Sequence, residues 1–147
     1  MYSIVEFRSV TKSFSKKLLV DQVSFKLQQG EITTLIGQNG AGKTTIAKII
    51  LGLEQPTKGS VLVKKGLNIG YAPQKLNFTF NMPLNAQSLM DILAPNGIDE
   101  EILELANFVD FNKIRKTDIS TLSGGQLQKL VLAGTLVNKL DLEILDE

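Results

Sequence analysis

Apolar and polar residues alternate along the beginning of the chain in the pattern of half-exposed β-strands. Residues 2–8 and 23–28 both show this period of two. A turn signal at 29–30 precedes the β-branched apolar run 32–36, which predicts a buried strand. Apolar residues at helical spacing then run from 46 to 53. The opening third of the chain therefore predicts strands that lead into a helix.

The remaining residues predict short strands around a mainly helical segment. A turn at 55–59 separates the first helix from predicted strands at 60–63 and 68–72. Helices are predicted over 84–93 and 100–109, joined by a turn at Asn96-Gly97, and from the N-cap Ser123 to Leu136. Residues 142–147 predict a final strand, with apolar residues at 142, 144 and 145, that ends in two acids. This order is typical of an α/β nucleotide-binding fold with an antiparallel edge and a helical lobe.

Composition narrows the class of protein. The 147 residues suit one domain, and 43% hydrophobic with 21% charged residues is ordinary for a globular protein. A net charge of +1 gives no electrostatic case for nucleic acid as a partner. Cysteine is absent, so disulfides are excluded. The beginning of the chain has no secretory signal, and no apolar run reaches 18 residues, so a cytosolic chain that could dock on a membrane partner is expected.

A phosphate-binding loop is predicted between the run 32–36 and the first helix. The residues match G-x-x-x-x-G-K-[ST] and its flank: Gly37, Gln38, Asn39, Gly40, Ala41, Gly42, Lys43, Thr44 and Thr45. Glycines let backbone N–H groups converge on an anion, and the helix N-terminus adds partial positive charge. Lys43 is predicted to reach the β- and γ-phosphates and Thr44 to place its hydroxyl on Mg²⁺. The alternative is a Gly-rich turn that binds nothing.

Two further groups of residues predict chemistry. At the last strand's end, Asp146 is predicted to hold Mg²⁺ and Glu147 to orient or deprotonate the attacking water. Acids at strand ends are also commonly just solvated. The sequence LSGGQ at 122–126 predicts a helix start that contains Ser123, Gly124, Gly125 and Gln126. This helix N-terminus either binds an anion or is simply capped by the serine.

In their order and rough spacing, these motifs resemble the ATP-binding-cassette (ABC) ATPases, the motor subunits of ABC transporters, over the whole chain. The resemblance implies an α/β fold: a P-loop NTPase core with an antiparallel β edge and a small helical lobe. It implies a single partial domain, with 1–74 and 139–147 in the core and 75–138 in the lobe. ATP and Mg²⁺ are the implied cofactors.

The resemblance also implies roles for individual residues. Phe14 lies where an aromatic side chain stacks on adenine, although it could be plain core. Gln74 would ligate Mg²⁺ or water and report occupancy to the membrane partner, although it could be a solvated loop residue. Ser123, Gly124 and Gly125 would clamp the γ-phosphate bound on the opposing subunit.

Within the family, residues 69–76 and 82–84 resemble the zinc-import ATP-binding subunits of bacteria, with manganese and iron-chelate importers as near alternatives. The implied protein is a homodimeric energy-coupling ATP hydrolase, peripheral to the cytoplasmic face of the bacterial inner membrane. Its implied partners are a membrane-spanning permease and a periplasmic metal-binding protein. A soluble ABC ATPase of DNA repair or translation, and a non-hydrolysing remnant, are the other interpretations.

The chain departs from the family pattern at its end and at one buried position. The resemblance implies further C-terminal strands and a histidine that contacts the γ-phosphate, in roughly 70 to 100 more residues. The chain has no histidine, so either a fragment or a prematurely ended product is expected. Glu143 interrupts the apolar strand, where a buried carboxylate without a partner would be costly.

Overall fold

The computed structural model describes residues 3–15, 17–73, 83–94, 97, 110–138 and 140–146. They fall into two compact units, one of the described residues up to 69 together with 146 and one of the described residues from 70 to 145. The elements in chain order are β1 Ser3–Phe14, β2 Lys17–Gln28, α1 Lys43–Ile50, β3 Lys58–Val63, β4 Ile69–Ala72, α2 Ala86–Leu93, α3 Phe111–Ile114, a 3-10 turn Ile119–Thr121, α4 Gly124–Leu136 and β5 Leu142–Leu145. The α/β class predicted from the sequence is confirmed.

The first unit contains an antiparallel sheet of three strands in the order β2-β1-β3. Apolar residues of β1 supply its core: Val5, Phe7 and Val10 are at most 2% exposed. The ring of Phe7 stacks on Phe25 of β2 with 4.4 Å between the ring centroids. The predicted strands at 23–28 and in the described part of 2–8 are therefore confirmed.

Both strands of the β1–β2 hairpin extend further than their alternation predicted. The register of the pair shifts between Phe7 and Val10, and Ser9 and Gln22 have φ angles of 47° and 45°. Bulges of this kind break the period of two without ending the strand. The sequence pattern therefore located the pair and underestimated its length.

Helix α1 buries the apolar face that its spacing predicted. Ile46, Ala47, Ile49 and Ile50 are each at most 8% exposed. The helix ends at Ile50, because Gly52 turns the chain with a φ of 72°, and Leu53 lies outside with 67% of its surface exposed. The prediction that the helical segment reached Leu53 was wrong at this end.

The buried strand predicted at 32–36 is wrong. Residues 31–38 have neither strand nor helix geometry, and Ile32 and Ile36 are 99% and 93% exposed. A strand is stabilised by a neighbour that takes its backbone hydrogen bonds. The sheets in the described part of the chain contain only β1 to β3 and the pair β4-β5, so this run has strand propensity but no neighbour.

We expect Ile36→Thr to change the free energy of unfolding by less than about 0.5 kcal/mol, because an exposed side chain loses little on truncation. The matched substitution Ile49→Thr, at a position that is 4% exposed, should cost roughly 2 kcal/mol or more. Urea unfolding followed by circular dichroism measures both. Equal losses at the two positions would show that 32–36 is a buried strand after all.

The second unit packs α2 against α4 and pairs β4 with β5. Its core is formed by residues that are at most 9% exposed: Ala86, Leu89, Met90, Phe111, Ile119, Leu127, Leu130, Val131 and Ala133. Gly134 lets the two helices approach closely, because a Cβ there would lie 2.7 Å from the Cβ of Leu93. The predicted helices at 84–93 and 124–136 are confirmed. The predicted helix at 100–109 and Asn96 of the predicted turn lie outside the described residues.

Candidate functional site

The lysine of the predicted phosphate loop is hydrogen-bonded to the backbone of the same loop. Lys43 Nζ donates hydrogen bonds to the carbonyl oxygens of Gly37 at 2.6 Å and Gln38 at 3.1 Å. The amide of Ala41 also donates to the Gln38 carbonyl at 3.1 Å. The ammonium group is thus held beside the loop, at the first residue of α1. This is where a bound triphosphate would meet a positive charge.

Gly42 sets the path of the chain from the loop into α1. Its φ is 89°, in the left-handed region, and a Cβ at this position would lie 2.6 Å from the carbonyl oxygen of Leu19. No side chain fits between the loop and β2. The carbonyl of Gly42 then accepts from Ile46 N at 2.9 Å, which begins the helical hydrogen bonding.

The N-terminus of α1 has no side-chain cap. Its N-cap residue is Gly42, and the first turn contains no acid. Helices α2 and α4 are capped by the side chains of Asn85 and Ser123. The first N–H groups of a helix need an acceptor, and an anion is a suitable one. The arrangement at α1 therefore suits a phosphate group.

Thr44 and Asp146 meet although 102 positions separate them in the sequence. The Thr44 hydroxyl donates to Asp146 Oδ1 at 3.1 Å, and the pair is partly buried. Hydroxyl and carboxylate oxygens are hard donors of the kind that Mg²⁺ prefers. Two of the three residues predicted as Mg²⁺ ligands are thus neighbours, and their oxygen donors fit the ion; the third, Gln74, lies outside the described residues.

Phe14 lies at the end of β1 with 44% of its surface exposed, so it is not a core residue. The ammonium of Lys12 lies over its ring, 4.6 Å from the centroid. The sequence drew attention to the aromatic side chain but not to the lysine. A charged residue two positions before an aromatic residue on a strand was the available signal.

The LSGGQ segment begins α4 with a capping box. Ser123 Oγ accepts from Gln126 N at 3.2 Å, and Gln126 Oε1 accepts from Ser123 N at 2.9 Å. The predicted N-cap is confirmed, and the role of Gln126 was missed although S-x-x-Q is a known capping pattern. Ser123, Gly124 and Gly125 remain exposed. The serine hydroxyl can still donate its own proton.

A short turn fixes the approach to this segment. Asp118 caps the 3-10 turn by accepting from the hydroxyl and the backbone N–H of Ser120, at 2.6 and 2.8 Å. These hydrogen bonds, the hydroxyl's first, hold the pKa of Asp118 below its ordinary value of 3.8. The lowered pKa means that the carboxylate keeps its charge, and these hydrogen bonds, to more acidic pH than an ordinary aspartate.

Glu143 has a hydrogen-bond partner, so it does not carry the cost of a buried carboxylate without one. Thr135 Oγ1 donates to Glu143 Oε1 at 2.8 Å, and Glu143 is only partly buried. The hydrogen bond from the Thr135 hydroxyl on α4 offsets the cost of partly burying the Glu143 carboxylate on β5. The predicted catalytic residues Gln74 and Glu147 lie outside the described residues.

The site combines an uncapped turn from the loop into α1, the ammonium of Lys43, and the hydrogen-bonded pair of Thr44 and Asp146. This combination defines a P-loop nucleotide-binding protein. Residues 20–147 match the ABC transporter family, and the chain belongs to that family. No described helix is both long enough and apolar enough to cross a membrane.

The chain is similar to curated proteins named zinc import ATP-binding protein ZnuC. It is 49% identical to that of Rickettsia bellii over 144 residues, which are 98% of this chain and 62% of the relative. It is 43% identical to that of Photobacterium profundum over 147 residues, or 100% of this chain and 57% of the relative. The chain thus spans about three fifths of these relatives.

Solved structures show the same fold. An ATP-binding subunit of an ABC transporter superposes with a TM-score of 0.80 and 23% identity, covering 99% of this chain and 66% of that one. An inward-facing metal-chelate type ABC transporter gives a TM-score of 0.77, also at 23% identity, covering 100% of this chain and 60% of that one. The ABC ATPase fold expected from the motifs is therefore confirmed.

Proposed function

We propose that this chain is the nucleotide-binding part of the energy-coupling ATPase of a bacterial importer for divalent metal ions, with zinc as the metal. The hydrogen bond between Thr44 and Asp146, directly beside the phosphate loop, is the observation that carries the proposal. The choice of zinc is supported by the names of the similar curated proteins.

The phosphate loop binds the triphosphate in this proposal. Backbone N–H groups of the loop and of the first turn of α1, other than the Ala41 N–H that already donates to Gln38, donate to the phosphates, and the uncapped N-terminus of α1 adds partial positive charge. Lys43 exchanges its loop carbonyls for β- and γ-phosphate oxygens. Mg²⁺ neutralises phosphate charge when bound. Thr44 and Asp146 are the residues that would hold it.

Residues outside the loop complete the site. Phe14 offers an exposed aromatic face on which adenine stacks. Glu147 orients or deprotonates the attacking water, and Gln74 adds an oxygen ligand for Mg²⁺ or that water. In-line attack forms a bond between the water oxygen and the γ-phosphorus while the bond to the ADP oxygen breaks, and departure of ADP and phosphate resets the subunit.

Two copies of the subunit act together. Ser123, Gly124 and Gly125 at the start of α4 bind the γ-phosphate held by the phosphate loop of the opposing copy. The capping box keeps this turn in place, so little ordering is needed when the copies close. Closure drives a membrane-spanning permease that receives metal from a periplasmic binding protein, at the cytoplasmic face of the inner membrane.

Mixing two defective variants tests this arrangement. Lys43→Ala removes the loop cation, and Ser123→Arg blocks the start of α4. Neither variant alone should self-associate when ATP is added. In a mixture, the intact loop of one variant faces the intact LSGGQ of the other. We expect ATP to restore association at about half of the wild-type extent, measured by sedimentation velocity.

The outcome separates an opposing-subunit role from a role within one chain. If LSGGQ served the phosphate loop of its own chain, every chain in the mixture would remain defective. Absence of restored association, with wild-type chains associating in the same buffer, would therefore contradict the proposal. Thermal unfolding of each variant checks that both remain folded.

A further inference from the structure

We propose that Lys12 is a positioning residue for the base of the nucleotide: its ammonium fixes the Phe14 ring from one face and leaves the other face to adenine. This inference rests on the proposed function, because it takes ATP as the ligand. It adds a residue that contacts neither the phosphates nor Mg²⁺.

The Lys12 side chain is held unusually firmly for a lysine. It is only 12% exposed, and its Nζ lies 2.8 Å from Glu54 Oε2 and 2.8 Å from the carbonyl oxygen of Gln55. Lysine side chains lose much rotamer freedom when they are fixed. A fixed ammonium with two oxygen partners has a defined position relative to its third neighbour.

That third neighbour is the ring of Phe14. The ammonium lies 4.6 Å from the ring centroid, within the range of a cation–π interaction. Phe14 as a residue remains 44% exposed. An aromatic side chain with one face occupied by a cation has the opposite face available to a planar base.

The same lysine connects the ring to the helix that binds the phosphates. Glu54 and Gln55 follow α1, and the amide of Glu54 donates to the Lys48 carbonyl at 3.2 Å. Thr57 N donates to the Thr11 carbonyl at 2.8 Å, which fastens this segment to β1. Lys12 thereby joins the Phe14 side chain to the segment that follows the C-terminal end of α1, the helix whose N-terminal end follows the phosphate loop.

Comparison of ATP with inorganic tripolyphosphate tests the proposal, because tripolyphosphate has the phosphates and lacks the base. We expect Lys12→Met to weaken ATP binding roughly tenfold, because a ring that is no longer fixed loses part of its stacking on the base. Tripolyphosphate binding should change less than about twofold. Isothermal titration with Mg²⁺ present measures both. Lys17→Met is the matched control, because Lys17 is exposed and pairs with Phe14 across the hairpin.

Three more variants separate positioning from structural support. Lys12→Arg keeps the cation and should retain the preference for ATP over tripolyphosphate. Lys12→Gln keeps a donor for the Gln55 carbonyl without the charge and should lose that preference, which preserves the test if Lys12→Met does not fold. In a Phe14→Ala background, Lys12→Met should have no further effect on ATP affinity.

If Lys12→Met lowered the affinities for ATP and tripolyphosphate equally, the proposal would be overturned. Lys12 would then support the loop and not the base. Unchanged ATP affinity would also overturn the proposal. A wild-type chain that binds ATP no more tightly than tripolyphosphate would refute the base contact while leaving the phosphate site intact. A folded wild-type chain that binds neither ligand would refute the proposed function as well.

Discussion

Replacing Lys43 by alanine will lower the affinity of the chain for ATP by roughly a hundredfold or more. Hydrogen bonds to charged groups are each worth about 1.5–3 kcal/mol, and this ammonium is expected to reach two phosphate groups. In the free chain it is already held at the loop by the carbonyls of Gly37 and Gln38. Titration calorimetry with Mg²⁺ and ATP measures the loss.

Lys48→Ala is the matched control, because Lys48 lies on the same helix with an exposed side chain. Its ATP affinity should stay within about twofold of the wild-type value. Both variants should unfold at similar urea concentrations, since neither removes a buried apolar side chain. Wild-type affinity in a folded Lys43→Ala chain would mean that ATP binds elsewhere.

Replacing Leu130 by alanine will cost about 3–5 kcal/mol of unfolding free energy. Leu130 is fully buried on α4, at the centre of the core that joins α4 to α2. Truncation removes buried apolar area and leaves a cavity that this close-packed pair of helices closes only partly. Urea unfolding followed at a helix signal measures the change.

Leu136→Ala serves as the comparison, since Leu136 ends the same helix with 37% of its surface exposed. Its cost should be about 1 kcal/mol or less. A loss below about 1 kcal/mol at Leu130 would show that α4 does not pack on α2 as the structure has it. The LSGGQ segment at the start of α4 would then lack its support.

Some parts of the chain have a structure that is determined by contacts between residues close in sequence. Local sequence signals predicted these parts. The helix at α4 followed from Ser123 and its apolar spacing, and the capping box confirms the start. The loop at 37–45 followed from its glycines, and Gly42 shows why one of them is required. The start of α4 depends only on neighbouring residues, and the left-handed φ of 89° at Gly42 is also local, although the carbonyl oxygen of Leu19 excludes a Cβ there as well.

Features that depend on distant residues were predicted poorly or not at all. The run 32–36 has the β-branched residues of a strand, but strand formation depends on a neighbour that the run itself does not contain. The partner of Glu143 is a hydroxyl on α4, which its position in the strand could not indicate. The support of Phe14 by Lys12 likewise depends on Glu54, more than 40 positions away. Asp146 was selected because it ends an apolar strand in a chain with a phosphate loop; the structure places it beside Thr44, and its role toward Mg²⁺ stays a prediction.

Titration with ATP tests whether Thr44 and Asp146 hold Mg²⁺ beside the phosphates. The folded wild-type chain and an Asp146→Asn variant are each titrated once with Mg²⁺ and once with EDTA. If Thr44 and Asp146 hold the ion beside the phosphates, Mg²⁺ should tighten ATP binding by about tenfold or more in the wild type. The same comparison should show little effect in the variant, whose amide is a weaker ligand for a hard cation. Equal tightening by Mg²⁺ in both chains, or no ATP binding by a folded wild-type chain, would contradict the account.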